Sequence, residues 1–265
     1  MVYNPESYYA KKRLFAILTA DLTTAQLDRV QELFGIGATM CSPNPAEELF
    51  IEDKREWSGR SHADLRRAYP EADPLLVIDS RTPDDGGIWY LDRFADKDDI
   101  EDGQAESLNT LYKIRMDIRD VVIKYANYSI ANTDIREDLD TVDVPYPTPD
   151  DFDQDTLFCT GFDYIKERYM NPTWVTATPD ELEESTDPKH LDNFVPRPDI
   201  VYRAKENIAR QAGLESRWMM AGDAPNEVEV PDGTKRIFPP GSKVVQSNYD
   251  PETAIPVYKR PNGSL

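Results

Sequence analysis

Leu14 to Leu18 (LFAIL) is an apolar run that leads directly into Thr23-Thr24-Ala25-Gln26, and no other feature restricts the fold of this chain more. A short continuous apolar run fits a buried strand. Thr23 with Gln26 three residues later is a capping box, in which hydroxyl and amide side chains satisfy the first orphan N–H groups of a helix. Leu27, Val30, Leu33 and Phe34 follow at helical spacing, and Gly35 and Gly37 are expected to stop the helix. A buried strand feeding an amphipathic helix opens an α/β layer.

Further elements continue that alternation. Leu75 to Asp79 (LLVID) reads as a core strand entered through Asp73-Pro74; the turn signal Asp84-Asp85-Gly86-Gly87 and the aromatic strand Ile88 to Phe94 make it one arm of a hairpin. Strand alternation places Trp89 and Leu91 on one face and Tyr90 and Asp92 on the other. An exposed Tyr90 beside Asp92 suits a binding surface, although single exposed aromatics are ordinary. Helices are expected after Asn44-Pro45, from Ser61 to the residue before Pro70, and from Ser107 through Leu111, Tyr112, Arg115 and Ile118. Val121 to Tyr125 reads as a further strand. Asp96 to Glu106 reads as a solvated acidic loop. A calcium loop and a disordered insertion are its alternatives, but the acids are bunched and Gly103 comes late for calcium spacing.

At Pro145-Tyr146-Pro147-Thr148-Pro149 the composition changes, because prolines this dense continue neither a helix nor a central strand. Beyond it the sequence suggests a helix over Phe158 to Tyr169, an acidic helical turn at Asp180 to Glu184, and a long helix from Pro198. A hairpin is expected to flank Pro231-Asp232-Gly233. The fold class is therefore α/β, with α+β possible. Residues 10–145 carry a small mixed sheet with packed helices, and 146–265 form a mostly helical, loop-rich C-terminal extension packed on that domain.

Composition limits the function classes. A hydrophobic content of 39%, with 14 Tyr, 9 Phe and 4 Trp, is too rich for a disordered chain of 265 residues. The formal net charge of -20 repels phosphate backbones and anionic lipid, so no nucleic-acid or membrane partner is expected. It fits either plain solubility or attraction to a basic partner. Cys41 and Cys159 form no CxxC and no even framework, the N-terminus has no apolar signal segment, and no apolar stretch approaches membrane-spanning length. These features imply a reduced, cytoplasmic protein. The two histidines, His62 and His190, and the two cysteines make no metal-ligand set. No GxGxxG or GxxxxGK[ST] motif is present, so no metal or cofactor is called for.

LLVIDSRTPDDGGIWYLDRF (75–94) and YANYSIANTDIREDLD (125–140) together resemble a family of small, mainly bacterial domains of unknown function. In that family a strand ending in Asp precedes an aromatic strand, and two asparagines around a Ser-Ile-Ala core lead into an acidic helix. The likeness covers roughly residues 13–142 and rests mostly on Asn127, Ser129, Ile130, Ala131, Asn132 and Asp134. The chain departs from the pattern in a longer insert between Phe94 and Val121 and in everything after Pro145. The resemblance implies a fold and a site location, and no chemistry.

The candidate site residues follow. Asp79 ends a core strand, where open α/β sheets place functional carboxylates, and Asp134 can approach it if the two strands are neighbours. The pair fits a general acid and base. It equally fits two caps, Asp79 with Ser80 or Arg81 and Asp134 at the helix Ile135 to Leu139. Arg81, Asn127 and Asn132 are candidate ligand-binding residues, since amides both donate and accept; the asparagines equally fit a strand end. Ser129 lacks the surroundings of a nucleophile. Two functions from different classes remain: an acidic binding or interaction protein, and a metal-independent enzyme acting on a small molecule through Asp79 and Asp134.

Overall fold

The computed structural model describes residues 12–40, 47–229, 235–254, 258 and 260–265. Two compact units share the chain: one comprises Lys12–Ala38, Glu47–Phe162 and Val257–Leu265, the other chiefly Asp163–Pro256.

The first unit is built on a five-stranded sheet in the order β2-β1-β3-β4-β5, with β1 at Lys12–Leu18, β2 at Glu47–Asp53, β3 at Leu75–Ile78, β4 at Gly87–Phe94 and β5 at Leu111–Asp117. β1 pairs in parallel with β2 and β3, while β3–β4 and β4–β5 are antiparallel. The sheet is thus mixed, as the sequence implied. Its helices are α1 (Thr24–Ala38), α2 (His62–Ala68), α3 (Thr82–Asp85), α4 (Lys97–Glu101), α5 (Val121–Ser129) and α6 (Ile135–Asp140).

Period-two alternation gives the sheet two apolar faces. Leu14, Ala16, Leu76, Ile78, Tyr90 and Ile114 join one core with Val30 and Phe34 of α1, Val121 of α5 and Ile135 of α6. Ile17, Leu75, Val77, Trp89 and Leu91 join the other with Leu65 of α2. Layers on both faces hold the sheet flat against its helices and leave strand ends and loops to carry polar groups.

Several expected elements changed type. α1 begins at its capping box, with the Gln26 amide N–H reaching Thr23 Oγ1 at 3.3 Å and the Thr23 N–H reaching Gln26 Oε1 at 2.8 Å. It does not stop at Gly35 or Gly37. A Cβ on Gly37 would lie 2.0 Å from the Arg119 carbonyl oxygen, and one on Gly35 would lie 2.4 Å from the Tyr258 Cβ. Both glycines serve close approach rather than termination. The helix expected after Asn44-Pro45 is β2: Leu49 and Ile51 alternate into the core, and the pairing with β1 outweighs the helical signal. Asn44 and Pro45 lie outside the described residues. The helix expected after Ser107 is β5, where Tyr112, Ile114 and Met116 supply a period of two that competes with the period read from Leu111, Tyr112 and Arg115. Val121 to Tyr125, expected as a strand, opens α5, with Val121, Tyr125 and Tyr128 at helical spacing against the core. Within the acidic stretch Asp96 to Glu106 a short helix forms on a capping box between Asp96 and Asp99.

The Pro145-to-Pro149 segment stays with the sheet unit. Ala105 bridges Thr148, the Gln154 side chain bonds both backbone groups of Arg115, and Phe158 bridges Met116. Contacts change over after Phe162 instead.

The second unit carries α7 (Tyr164–Met170), β6 (Pro172–Ala177), β7 (Leu182–Ser185), α8 (Pro188–Leu191), β8 (Val201–Ala204), α9 (Glu206–Gln211), β9 (Ala221–Asp223), β10 (Glu227–Glu229), β11 (Lys235–Ile237) and β12 (Lys243–Asn248). These form a β6-β12-β9 sheet and the pairs β7-β8 and β10-β11, around a core that includes Val175, Leu182, Tyr202, Ile208 and Val245. Strand outweighs helix here, against the mostly helical extension expected. The helix read from Pro198 divides into β8, whose pairing with β7 claims its apolar residues, and the short α9. Phe158 is extended, and the helix after it starts at the Asp163 cap. The acidic turn at Pro179–Glu181 runs straight into β7. β10 and β11 form the expected hairpin; its Pro231-Asp232-Gly233 turn, like Cys41, lies outside the described residues.

Candidate functional site

Along β4 and β5 the pairing is regular from Gly87–Asp117 to Leu91–Lys113 and then jumps to Phe94–Leu111. Three steps on β4 are therefore matched by two on β5, which is a β-bulge at Asp92-Arg93. Bulges re-aim side chains, and this one sends two charges to different fates. Arg93 donates to Asp99 at 2.6 and 3.2 Å and to Asp96 at 3.3 Å. The Asp92 carboxylate has no hydrogen-bond or ion-pair partner among the described residues.

Asp92 opens onto a cavity of about 390 Å³ at the end of the sheet where β3 begins. Tyr90 of β4, Tyr112 of β5, and Tyr125 and Tyr128 of α5 line it. Tyr90 and Tyr128 meet edge to face, ring centroids 5.5 Å apart. The Tyr128 hydroxyl donates to Asp138, which also accepts from Lys124 at 2.9 Å. Lys12 bonds the Tyr125 hydroxyl and lies 4.3 Å from that ring's centroid and 3.6 Å from Asp73. Tyr112 is only 1% exposed, its hydroxyl has no hydrogen-bond partner, and burial pushes it up to about 12.

Electrostatics set Asp92 apart from its neighbours. Burial pushes its carboxyl up to about 6; Arg93 opposes this, and Asp73 and Asp134 add to it. Asp99 meets the opposite outcome: burial pushes it up, but hydrogen bonds from Arg93, the Asp96 backbone and Arg136 outweigh that and hold it at about 2. The same loop region thus holds one carboxylate saturated with donors and another with none.

The C-terminal end of α5 forms one cavity wall. Ala131 takes the left-handed conformation at φ +54°, with its N–H bonded to the Tyr128 carbonyl at 3.2 Å, and so terminates the helix in a position usually given to glycine. Thr133 follows, its hydroxyl buried and without a hydrogen-bond partner.

Of the residues proposed from sequence, Asp134 reaches this cavity and Asp79, Arg81, Asn127 and Asn132 do not line it. Asp134 caps α6 by accepting from the Arg136 N–H at 2.9 Å and pairs with the Arg136 guanidinium at 2.8 Å, which holds its carboxyl below the usual range. Asp79 follows β3 at the far end of the sheet, roughly 13 Å of strand away at about 3.3 Å per residue. There it accepts from the N–H groups of Arg81 (2.9 Å) and Thr82 (3.2 Å) and from Arg115 (3.1 Å), itself 2% exposed. The two carboxylates are not brought together, because the segment thought to be the neighbouring strand is α5. Arg81 bridges Asp79 and Asp153 at 3.5 and 3.4 Å. Asn127 donates to the Ile123 carbonyl (2.9 Å) and accepts from Asn132 (2.8 Å), so both amides close the end of α5. Ser129 lines the cavity but donates to the Ala126 carbonyl.

Asp92 was visible in sequence only as the residue sharing a face with Tyr90. The bulge that desolvates it depends on register, which composition does not reveal. Among the described residues no group of three or more His, Cys, Asp or Glu is arranged to hold a metal ion, and no helix is long and apolar enough to cross a membrane. No family model matches the chain, and no curated protein or solved structure matches it either.

Proposed function

We propose that this chain is a binding protein that takes an organic cation into the tyrosine-walled cavity, with Asp92 as its anchor. The observation that carries this reading is a desolvated carboxylate without a partner, set among aromatic rings. An unpaired buried charge is costly to a fold, so a charge kept in that state favours any opposite charge that can reach it. The π faces of Tyr90, Tyr125 and Tyr128 attract cations in the same sense, most strongly where water is excluded. Lys12 against Tyr125 and Asp73 is an internal instance of that contact at the same wall. The net charge of -20 adds a long-range field that steers cations inward and anions away.

The test is isothermal titration of the full chain at pH 7.5 and low salt with n-butylammonium, tetramethylammonium and acetate. At least one of the two cations should bind, acetate should not, and Asp92→Asn should abolish the binding. Failure of both cations to bind, or equal binding to Asp92→Asn, refutes the reading.

A further inference from the structure

The unused hydrogen-bonding capacity of the cavity says more about the cation than its charge does. Three acceptors on the wall have no donor among the described residues: the Asp92 carboxylate on β4, the Tyr112 hydroxyl on β5 and the Thr133 hydroxyl between α5 and α6. Tyr112 is 1% exposed, so bulk water does not serve it. A quaternary ammonium has no N–H and would leave all three unmatched. A guanidinium presents its donors as a planar fork suited to one carboxylate, whereas these acceptors come from three different elements. A primary ammonium carries three donors and no acceptor, and so matches the set without adding an unmatched group.

The rim adds a second requirement. Asp73 pairs with Lys12 at 3.6 Å and Asp134 with Arg136 at 2.8 Å, but exposed Glu137 has no ion-pair partner among the described residues. An acidic rim alone would specify nothing; the buried, unpartnered Tyr112 hydroxyl distinguishes this cavity from a solvated acidic patch. Between the inner acceptors and Glu137 the wall is tyrosine, a surface suited to methylene groups. The volume of about 390 Å³ falls within the roughly 300–1,000 Å³ range of small-molecule sites.

Resting on the cation-binding reading, we propose that the ligand is a free linear aliphatic diamine or polyamine. One primary ammonium donates to Asp92, Tyr112 and Thr133, the chain lies along the tyrosines, and a second ammonium meets Glu137.

Calorimetry of the full chain with putrescine, spermidine, n-butylamine, tetramethylammonium and an acetylated, amidated lysine peptide decides this. Putrescine and spermidine should bind about tenfold or more tighter than n-butylamine, and tetramethylammonium should bind weakest. Glu137→Gln should bring putrescine to the affinity of n-butylamine and leave n-butylamine unchanged. Tyr112→Phe, which keeps the ring and its packing, should weaken the primary amines severalfold and leave tetramethylammonium unchanged. Unchanged far-UV circular dichroism and melting of both variants would confine these effects to the site. Tetramethylammonium binding as tightly as n-butylamine, or equal binding of n-butylamine and putrescine, overturns the diamine assignment while leaving the cation reading standing. A lysine peptide binding more tightly than putrescine overturns the free-amine assignment. Failure of every amine to bind removes the cation reading and this inference with it.

Discussion

Replacing Asp92 with Asn should make the protein more stable at neutral pH, a reversal of the usual effect of mutating a buried polar residue. Asp92 titrates at about 6 in the fold against an ordinary value of 3.8, with burial as the main cause. The folded protein therefore holds this proton more tightly than the unfolded chain does. The associated stability is fully present below pH 3.8 and is lost as pH rises through about 6. At about 1.36 kcal/mol per unit, the difference of roughly two units makes ionised Asp92 cost about 3 kcal/mol above pH 6. Asn keeps the shape and removes the charge, so Asp92→Asn should gain up to that amount, less what its own amide loses by burial. At about 2–4 °C per kcal/mol for a protein of this size, the melting temperature should rise by several degrees at pH 7.5. Urea unfolding of both proteins from pH 4 to 8, at low concentration because the isoelectric point is near 4.5, reads the difference directly. The gain should shrink between pH 6 and 4 and vanish at the acid end, while other carboxylates cancel in the comparison. A destabilised Asp92→Asn at pH 7.5, or a difference that does not change with pH, would mean that Asp92 has a partner in solution and refute the argument.

Other consequences can be checked alongside. Cation affinity should be flat above pH 6 and fall about tenfold per unit below it, as protonation removes the charge of Asp92; a calorimetric pH series that stays flat to pH 5 contradicts this. Gly37→Ala should destabilise by about 3 kcal/mol, since its Cβ would lie 2.0 Å from the backbone oxygen of Arg119, and denaturant melts measure this. Ala131→Gly should stabilise by about 0.5–1 kcal/mol by relieving the left-handed backbone at an exposed position, and a lower melting temperature would contradict it. Arg115→Met should cost about 3 kcal/mol, because it removes the guanidinium shared by Asp79 and Asp85 while keeping the apolar stem; urea midpoints report it.

How much of this was legible in the sequence depends on the range of the forces that decided each element. β1, α1, β3 and β4 were readable because capping, spacing and turn chemistry are local. Gln26 needs only Thr23, and the Gly86-Gly87 turn needs only its neighbours. β2 and β5 were not, since Glu47–Asp53 and Leu111–Asp117 become strands through pairing with partners distant in sequence. α5 was misread because β-branched Val121, Val122 and Ile123 favour strands, while burial against α1 and the sheet favours the helix. The site divides in the same way. The shared face of Tyr90 and Asp92 follows from alternation, whereas the desolvation of Asp92 follows from a register jump fixed across two strands. Asp79, Asn127 and Asn132 looked chemical because small polar residues at element ends serve chemistry and capping alike, and here capping claims them.

The two ends of β3 show how the fold separates support from binding. At the end where β3 leaves the sheet, Asp79, Asp85 and Arg115 neutralise one another, and the donors around them are satisfied by backbone and carboxylate oxygens. At the end where it enters, the opposite holds: a bulge strips Asp92 of partners, Ala131 is held in a left-handed conformation, and the Tyr112 and Thr133 hydroxyls are buried without bonds. Each departure costs stability by a different mechanism, yet all line one cavity. Packing defects unrelated to a ligand would have no reason to gather there or to share one chemical sense. These groups are acceptors or aromatic faces, and what they lack is a donor carrying positive charge.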